Sequence, residues 1–187
     1  MVNRGFCSQS SRTGARDGKI DLEMARKQKE IVLDRWEIKI LQRLQQDADV
    51  SIAELGQQIG LSQTPCWRRI QRLKDLGVIQ RTSAILDREA LGLDFVAYTF
   101  VKLALPSRPN MVAFEEAIMT WPEVVACEKV TGAVDYLIKV VCPDIHAYDD
   151  FLRDKLLASE IVADTQSRIV VSTVKNETSL PFEADAD

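Results

Sequence analysis

SIAELGQQIGLSQTPCWRRIQRLKDLG, residues 51–77, reads as two helices joined by a tight turn. Ser51 is an N-cap residue, and Glu54 follows three positions later, as a capping box requires. Ile52, Leu55 and Ile59 form the apolar stripe of the first helix, and Gly60 suits the left-handed position at its end. Ser62 opens the second helix. Pro65 falls in its first turn, where a missing N–H costs little. Cys66, Ile70 and Leu73 recur at i, i+4 and i+7, so they face inward, and Gly77 ends the helix. This phase leaves Gln63, Thr64, Trp67, Arg68, Gln71 and Arg72 on or near the outer face.

Upstream, Asp34 and Glu37 form a second capping-box pair. Trp36, Ile40, Leu41 and Leu44 predict a helix ending near Gln46. Downstream, Val78 to Leu86 reads as a strand or wing. Three short helices followed by a strand predict a winged helix-turn-helix over residues 33–86. In that motif the last helix enters the major groove. Arginine pairs with guanine and glutamine with adenine. The hydroxyls of Ser62 and Thr64, with free N–H groups at the helix start, suit phosphate oxygens. The DNA-binding set is therefore Ser62, Gln63, Thr64, Trp67, Arg68, Arg69, Gln71 and Arg72. For Trp67, packing within the domain is favoured over contact with DNA.

Charge supports this assignment. The chain of 187 residues has a formal net charge of -4, yet residues 62–81 hold five Lys/Arg against one Asp/Glu. Residues 93–187 hold eight against sixteen. The field a polyanion meets is local, so an acidic total does not exclude nucleic acid. No apolar run approaches the roughly 20 residues that span a membrane, and no secretory signal is evident, which predicts a cytoplasmic protein. Cys7, Cys66, Cys127 and Cys142 are widely spaced, no CxxC occurs and His146 is the one histidine. A zinc site would lack its usual local pairs, so no metal and no cofactor are expected.

The second half has another rhythm. Asp94–Leu105 alternates and predicts a strand. Met111–Thr120 predicts a helix with Val112, Ile118 and Met119 inward. Glu123–Val130 and Asp135–Val141 predict a hairpin around the turn TGAV. Asp144 caps a helix running to about Leu157, and Thr165–Val174 predicts the last strand. The order βαββαβ is that of a ferredoxin-like domain, expected over 94–180 after a linker at 87–93. Its sheet has one face under two helices and another in need of a cover, which sheet-to-sheet dimerisation would supply. The fold class is thus α+β. Residues 1–32 read as a disordered or partly helical extension, and 181–187 as a tail.

The stretches LDRWEIKIL, ADVSIAELGQQIGLSQTPCWRRIQRLKDLGVI and VTGAVDYLIKV resemble the leucine-responsive regulatory protein/AsnC family of transcription regulators, from about Leu33 to Pro181. The resemblance implies a sequence-specific DNA-binding regulator, associated with the bacterial nucleoid, whose C-terminal domain dimerises and assembles further, commonly into octamers. It implies a palindromic operator, a small effector, usually an amino acid, and control of amino-acid metabolism or transport. The family's effector turn maps onto Gly132, Asp135 and Tyr136, and Ala133 stands where the family commonly has an acidic residue. Gln166 and Ser167 lie where the family completes the pocket. Asp135 either meets an effector ammonium group or caps the hairpin. Tyr136 either lines the site or packs at the dimer interface. Two other functions remain: a tetrapyrrole-acting enzyme resembling the sirohaem decarboxylases, which needs more histidine than this chain has, and an effector-sensing adaptor that does not bind DNA. The reading favours a regulator and no enzyme.

Overall fold

The computed structural model describes residues 31–182, so nearly all of the expected extension and most of the tail lie outside it. Two compact units result. One runs to Thr82 and resumes at Thr178; the other is Ser83–Glu177.

The first unit contains α1 (Arg35–Gln46), α2 (Ile52–Ile59) and α3 (Gln63–Asp75). Both bonds of the Asp34/Glu37 capping box form: the Asp34 carboxylate accepts from Trp36 N and Glu37 N, and Glu37 Oε2 accepts from Asp34 N at 3.0 Å. At α2, Ser51 Oγ accepts from Glu54 N at 3.2 Å, and Gly60 adopts the left-handed conformation with φ 76°. Ile40, Leu41, Leu55, Ile59, Cys66, Ile70 and Leu73 make one buried cluster. Arg43 on α1 donates twice to Gln58 Oε1 on α2, at 2.8 and 2.6 Å.

The turn between α2 and α3 passes close to Gly56. A Cβ built there would stand 2.7 Å from the Leu61 carbonyl oxygen, a backbone atom that cannot swing away. Gly56→Ala gains about 0.5–1 kcal/mol of helix propensity. It loses about 1–3 kcal/mol to overpacking, and the loss wins. Urea unfolding of this unit should therefore show a lower midpoint for the variant; an unchanged or raised midpoint contradicts the close approach.

Val78–Leu86 forms no paired strand, contrary to the sequence-based expectation of a wing strand. Val78 and Ile79 donate their N–H groups to the Leu73 carbonyl and pack on the helical cluster, and among the described residues no strand pairs with the segment. Ile85 and Leu86 are exposed. The tail supplies a feature that sequence reading missed. Leu180 N donates to Gln45 Oε1 at 2.6 Å, Gln45 Nε2 donates to the Leu180 carbonyl at 3.4 Å, and Phe182 packs against the helical cluster.

The second unit contains β1 (Phe95–Leu103), α4 (Arg108–Ile118), β2 (Val124–Lys129), β3 (Tyr136–Cys142), α5 (Ile145–Phe151, continued by a π-helical turn Leu152–Leu156) and β4 (Val162–Ile169). The sheet is antiparallel in the order β2-β3-β1-β4, the ferredoxin-like arrangement. Ala97, Val101, Leu103, Tyr136, Ile138 and Val140 face Phe114 and Ile118 of α4 and Tyr148 and Phe151 of α5.

Two expectations are corrected here. On α4, Met119 is 86% and Val112 44% exposed, while Phe114 and Ile118 are buried. The helix starts at the Ser107 cap, and residues 111, 114 and 118 share the face that meets the sheet. The last strand lies at Val162–Ile169, not Thr165–Val174. Its register is set by β1: Leu103 pairs with Val162, Ala97 with Ile169, and Val96 O accepts from Val170 N. Val170 is the last residue to bond β1, so the β-branched run after it stays outside the sheet despite its propensity.

Candidate nucleic-acid interface and effector turn

Helix α3 presents Thr64, Arg68 and Gln71 as one stripe at i, i+4 and i+7, opposite the buried Cys66, Ile70 and Leu73. Thr64 and Arg68 are exposed and Gln71 half-buried. Ser62 takes the N-cap position, but its hydroxyl makes no capping bond. That hydroxyl and the N–H groups of Gln63 and Thr64, which no helical carbonyl can reach, are left for an external acceptor. Trp67 flanks the stripe and is 49% exposed, contrary to the expectation that it packs within the domain. The inward positions of α3 are already filled by Cys66 and Ile70, which leaves the indole at the surface.

Arg69 and Arg72 behave differently from Arg68. They lie at i and i+3 on the flank facing α1. Arg69 Nε donates to Asp34 Oδ2 at 3.1 Å, and Arg72 pairs with Glu37 Oε1. Glu37 is only 2% exposed. A cleft of about 350 Å³ between the start of α1 and α3 is lined by Asp34, Glu37, Arg68, Arg69 and Arg72. Sequence reading identified Glu37 as a capping residue but not as a partner of Arg72, because the two are 35 positions apart.

Partial burial pushes the Asp34 carboxyl up. The N–H groups of Glu37 and Trp36 and the Arg69 guanidinium outweigh it and hold the group below its usual value. In the second unit, partial burial likewise raises Glu123, and Lys155 Nζ, 2.7 Å from both oxygens, brings it below the ordinary value. A carboxyl depressed in the folded state contributes stability that is present above its unfolded pKa of about 4 and lost as pH falls through the folded value. Unfolding measured from pH 7 to 2 should show this loss beginning near pH 4–5 and continuing below; a loss from these groups already complete at pH 5 contradicts the assignment.

The residues expected around an effector are only partly brought together. Gly132, at φ 126°, has no atom within 4 Å of a built Cβ, and Ala133 beside it is exposed. Asp135 holds the turn in place: its Oδ2 accepts from Leu103 N at 2.8 Å, and its own N–H donates to Val101 O. Tyr136 is buried in the core of its own unit, packs its ring on Phe114 at 4.8 Å with the planes tilted by 46°, and donates its hydroxyl to Glu115 Oε1 at 2.7 Å. Burial, then the Glu115 carboxylate, drive the phenol strongly upward, so it stays protonated. On β4, Gln166 pairs with Phe100 and Ser167 with Thr99, so the two point to opposite faces of the sheet. Ser167 Oγ is 2.5 Å from Tyr148 OH, which lies 2.6 Å from Thr99 Oγ1. Strand β1 stands between the 132–136 turn and β4. His146, the chain's single histidine, is exposed on α5.

Comparison with known proteins agrees with this architecture. The profile of the Lrp/AsnC ligand binding domain matches residues 96–180, and that of the winged helix-turn-helix DNA-binding domain matches residues 33–80. The proline dehydrogenase transcriptional activator of Rhizobium radiobacter is 36% identical over 152 residues, 81% of this chain and 97% of the relative. The DNA-binding transcriptional activator DecR of Escherichia coli is 33% identical over 152 residues, 81% of this chain and 100% of the relative. A transcriptional regulator from Neisseria meningitidis, solved in complex with L-Met, superposes with a TM-score of 0.77 at 35% identity, covering 80% of this chain and 97% of that one.

Proposed function

This chain belongs to the Lrp/AsnC family of transcriptional regulators, and from that premise we propose which of its residues read DNA and where it takes its effector. It is a DNA-binding regulator. The observation that carries the residue assignment is the outward-facing Thr64–Arg68–Gln71 stripe, exposed at Thr64 and Arg68, on a helix whose opposite face is buried. Arg68 and Gln71 read base edges from the major groove, and Thr64 enters first. Ser62, Gln63 and the free N–H groups of the first turn hold phosphate. Trp67 lies beside the sugar edge. Arg69 and Arg72 orient the helix.

The oligomer follows from the open sheet face. Tyr98, Phe100 and Leu137 lie on the face away from α4 and α5, and a second copy covers it. Two α3 helices per dimer then meet an inverted repeat whose half-sites are spaced by about one helical turn or a multiple of it. Octamers of four dimers are the assembly this reading favours.

The effector is an amino acid, as the L-Met complex of the Neisseria relative supports. It approaches the open backbone at Gly132 and Ala133, whose shape Asp135 maintains. Within one chain β1 separates this turn from Gln166 and Ser167. The site is therefore completed by a neighbouring copy, and binding there shifts the equilibrium between assembly states. Ala133 contributes no carboxylate, so the ammonium group is met by backbone carbonyls or by the neighbour.

The test is an enrichment of genomic fragments by the purified chain at about 0.15 M salt, a concentration at which specific binding stands clear of the non-specific background, with and without the twenty amino acids. An inverted repeat recovered, and altered by one amino acid, is the expected result. No enrichment under either condition contradicts the reading.

A further inference from the structure

We propose that the capping box of α1 has a second role: Asp34 and Glu37 restrain Arg69 and Arg72, and so set how sharply α3 discriminates between operator and other DNA. The inference rests on the functional reading above and adds two positioning residues to it.

Each capping carboxylate divides its two oxygens between two tasks. Asp34 Oδ1 accepts from Trp36 N and Glu37 N at 2.8 Å, while Oδ2 accepts from Arg69 Nε at 3.1 Å. Glu37 Oε2 accepts from Asp34 N at 3.0 Å, while Oε1 takes Arg72. Capping alone needs only one oxygen from each side chain, and serine with glutamine would supply both. The two additional oxygens serve only the α3 arginines.

Two consequences follow for binding. Four cations stand on α3, namely Arg68, Arg69, Arg72 and Lys74, and the carboxylates neutralise two of them. Non-specific affinity grows with the number of phosphates a protein neutralises, so withholding two arginines lowers binding to arbitrary sequences. Two attachments one turn apart also fix the rotation of α3 about its own axis. That rotation aims the Thr64–Arg68–Gln71 stripe. Release therefore strengthens the sequence-independent part of binding and blurs the sequence-dependent part.

The test uses the full chain with Asp34→Ser and Glu37→Gln combined. Serine retains the N-cap acceptor, and glutamine retains a carbonyl oxygen for the cap while removing the negative charge and the second acceptor oxygen that hold Arg72. Affinity is measured by fluorescence anisotropy for the duplex enriched by the wild-type chain and for a scrambled duplex of equal length, across a salt series. The expected result is tighter binding to the scrambled duplex, a steeper salt slope by about one to two for the freed phosphate contacts, and an operator-to-scrambled ratio reduced by about tenfold. Arg69→Gln with Arg72→Gln in the wild-type background is the second variant. It should reduce the ratio without the gain on scrambled DNA, and it keeps the question open to refutation if the first variant folds poorly. Equal loss of affinity on both duplexes in both variants, or an unchanged ratio in both, overturns the proposal. A wild-type chain that does not distinguish the two duplexes overturns the functional reading itself; a wild type that does, with variants that do so equally well, overturns only the restraint.

Discussion

Arg68→Ala lowers affinity for the enriched operator by roughly 5- to 150-fold, the equivalent of about 1–3 kcal/mol for one lost bidentate base contact. Arg68 is the arginine of α3 that the structure leaves exposed on the reading stripe, whereas Arg69 and Arg72 are held by carboxylates. The loss should be confined to operator sequence. On a scrambled duplex the effect should be small, because a base-reading side chain contributes only weakly to phosphate attraction. The preference of the variant, read from a randomised library, should relax at one position in each half-site. A uniform fall on both duplexes would place Arg68 on phosphate instead, and would move base reading to Gln71 and Thr64.

Phe114→Ala destabilises the second unit by about 3–5 kcal/mol. The ring is 1% exposed, lies 4.8 Å from Tyr136 and meets Trp121 edge-on at 6.4 Å. It is the largest of the α4 side chains that meet the sheet, beside Met111 and Ile118, so its removal leaves a cavity between helix and sheet. Domains of this size are stable by only about 5–15 kcal/mol, so the variant loses a large share of the total. Guanidinium unfolding monitored by near-ultraviolet circular dichroism should show it. Phe114→Leu should cost much less, because it fills most of the volume. Since Tyr136 packs on Phe114 and follows directly after Asp135, the 132–136 turn should loosen as well. A Phe114→Ala chain with wild-type stability would mean that α4 does not carry the core.

Much of this was legible in the sequence because the signals were local. The Asp34/Glu37 capping box, the left-handed Gly60 and the Cys66–Ile70–Leu73 stripe each lie within a few residues and formed as expected, whereas at Ser51/Glu54 only the Ser51 half of the box forms: the Glu54 carboxylate accepts from the Ser51 hydroxyl, not from its backbone N–H. The order of strands and helices in the second unit was equally plain. The misses arose where long-range packing decided the outcome. The apolar run after Val170 looked like a strand, but it stays outside the sheet. Met119 fitted an apolar period, but the face of α4 was chosen by Phe114 meeting the sheet. No local pattern links Arg72 to Glu37 or Leu180 to Gln45, so both contacts were invisible before the chain was folded. Strand patterning located the hairpin turn at 132–136, and only the family resemblance linked it to an effector. Neither revealed that Tyr136 is buried and Asp135 already bonded.

The central claim is that α3 reads sequence. Titrating the wild-type chain against the enriched and the scrambled duplex at two salt concentrations tests it most directly. The account expects the enriched duplex to bind at least about 10³-fold more tightly, with both affinities falling steeply as salt rises. Equal affinity for the two duplexes, or binding indifferent to salt, would contradict it.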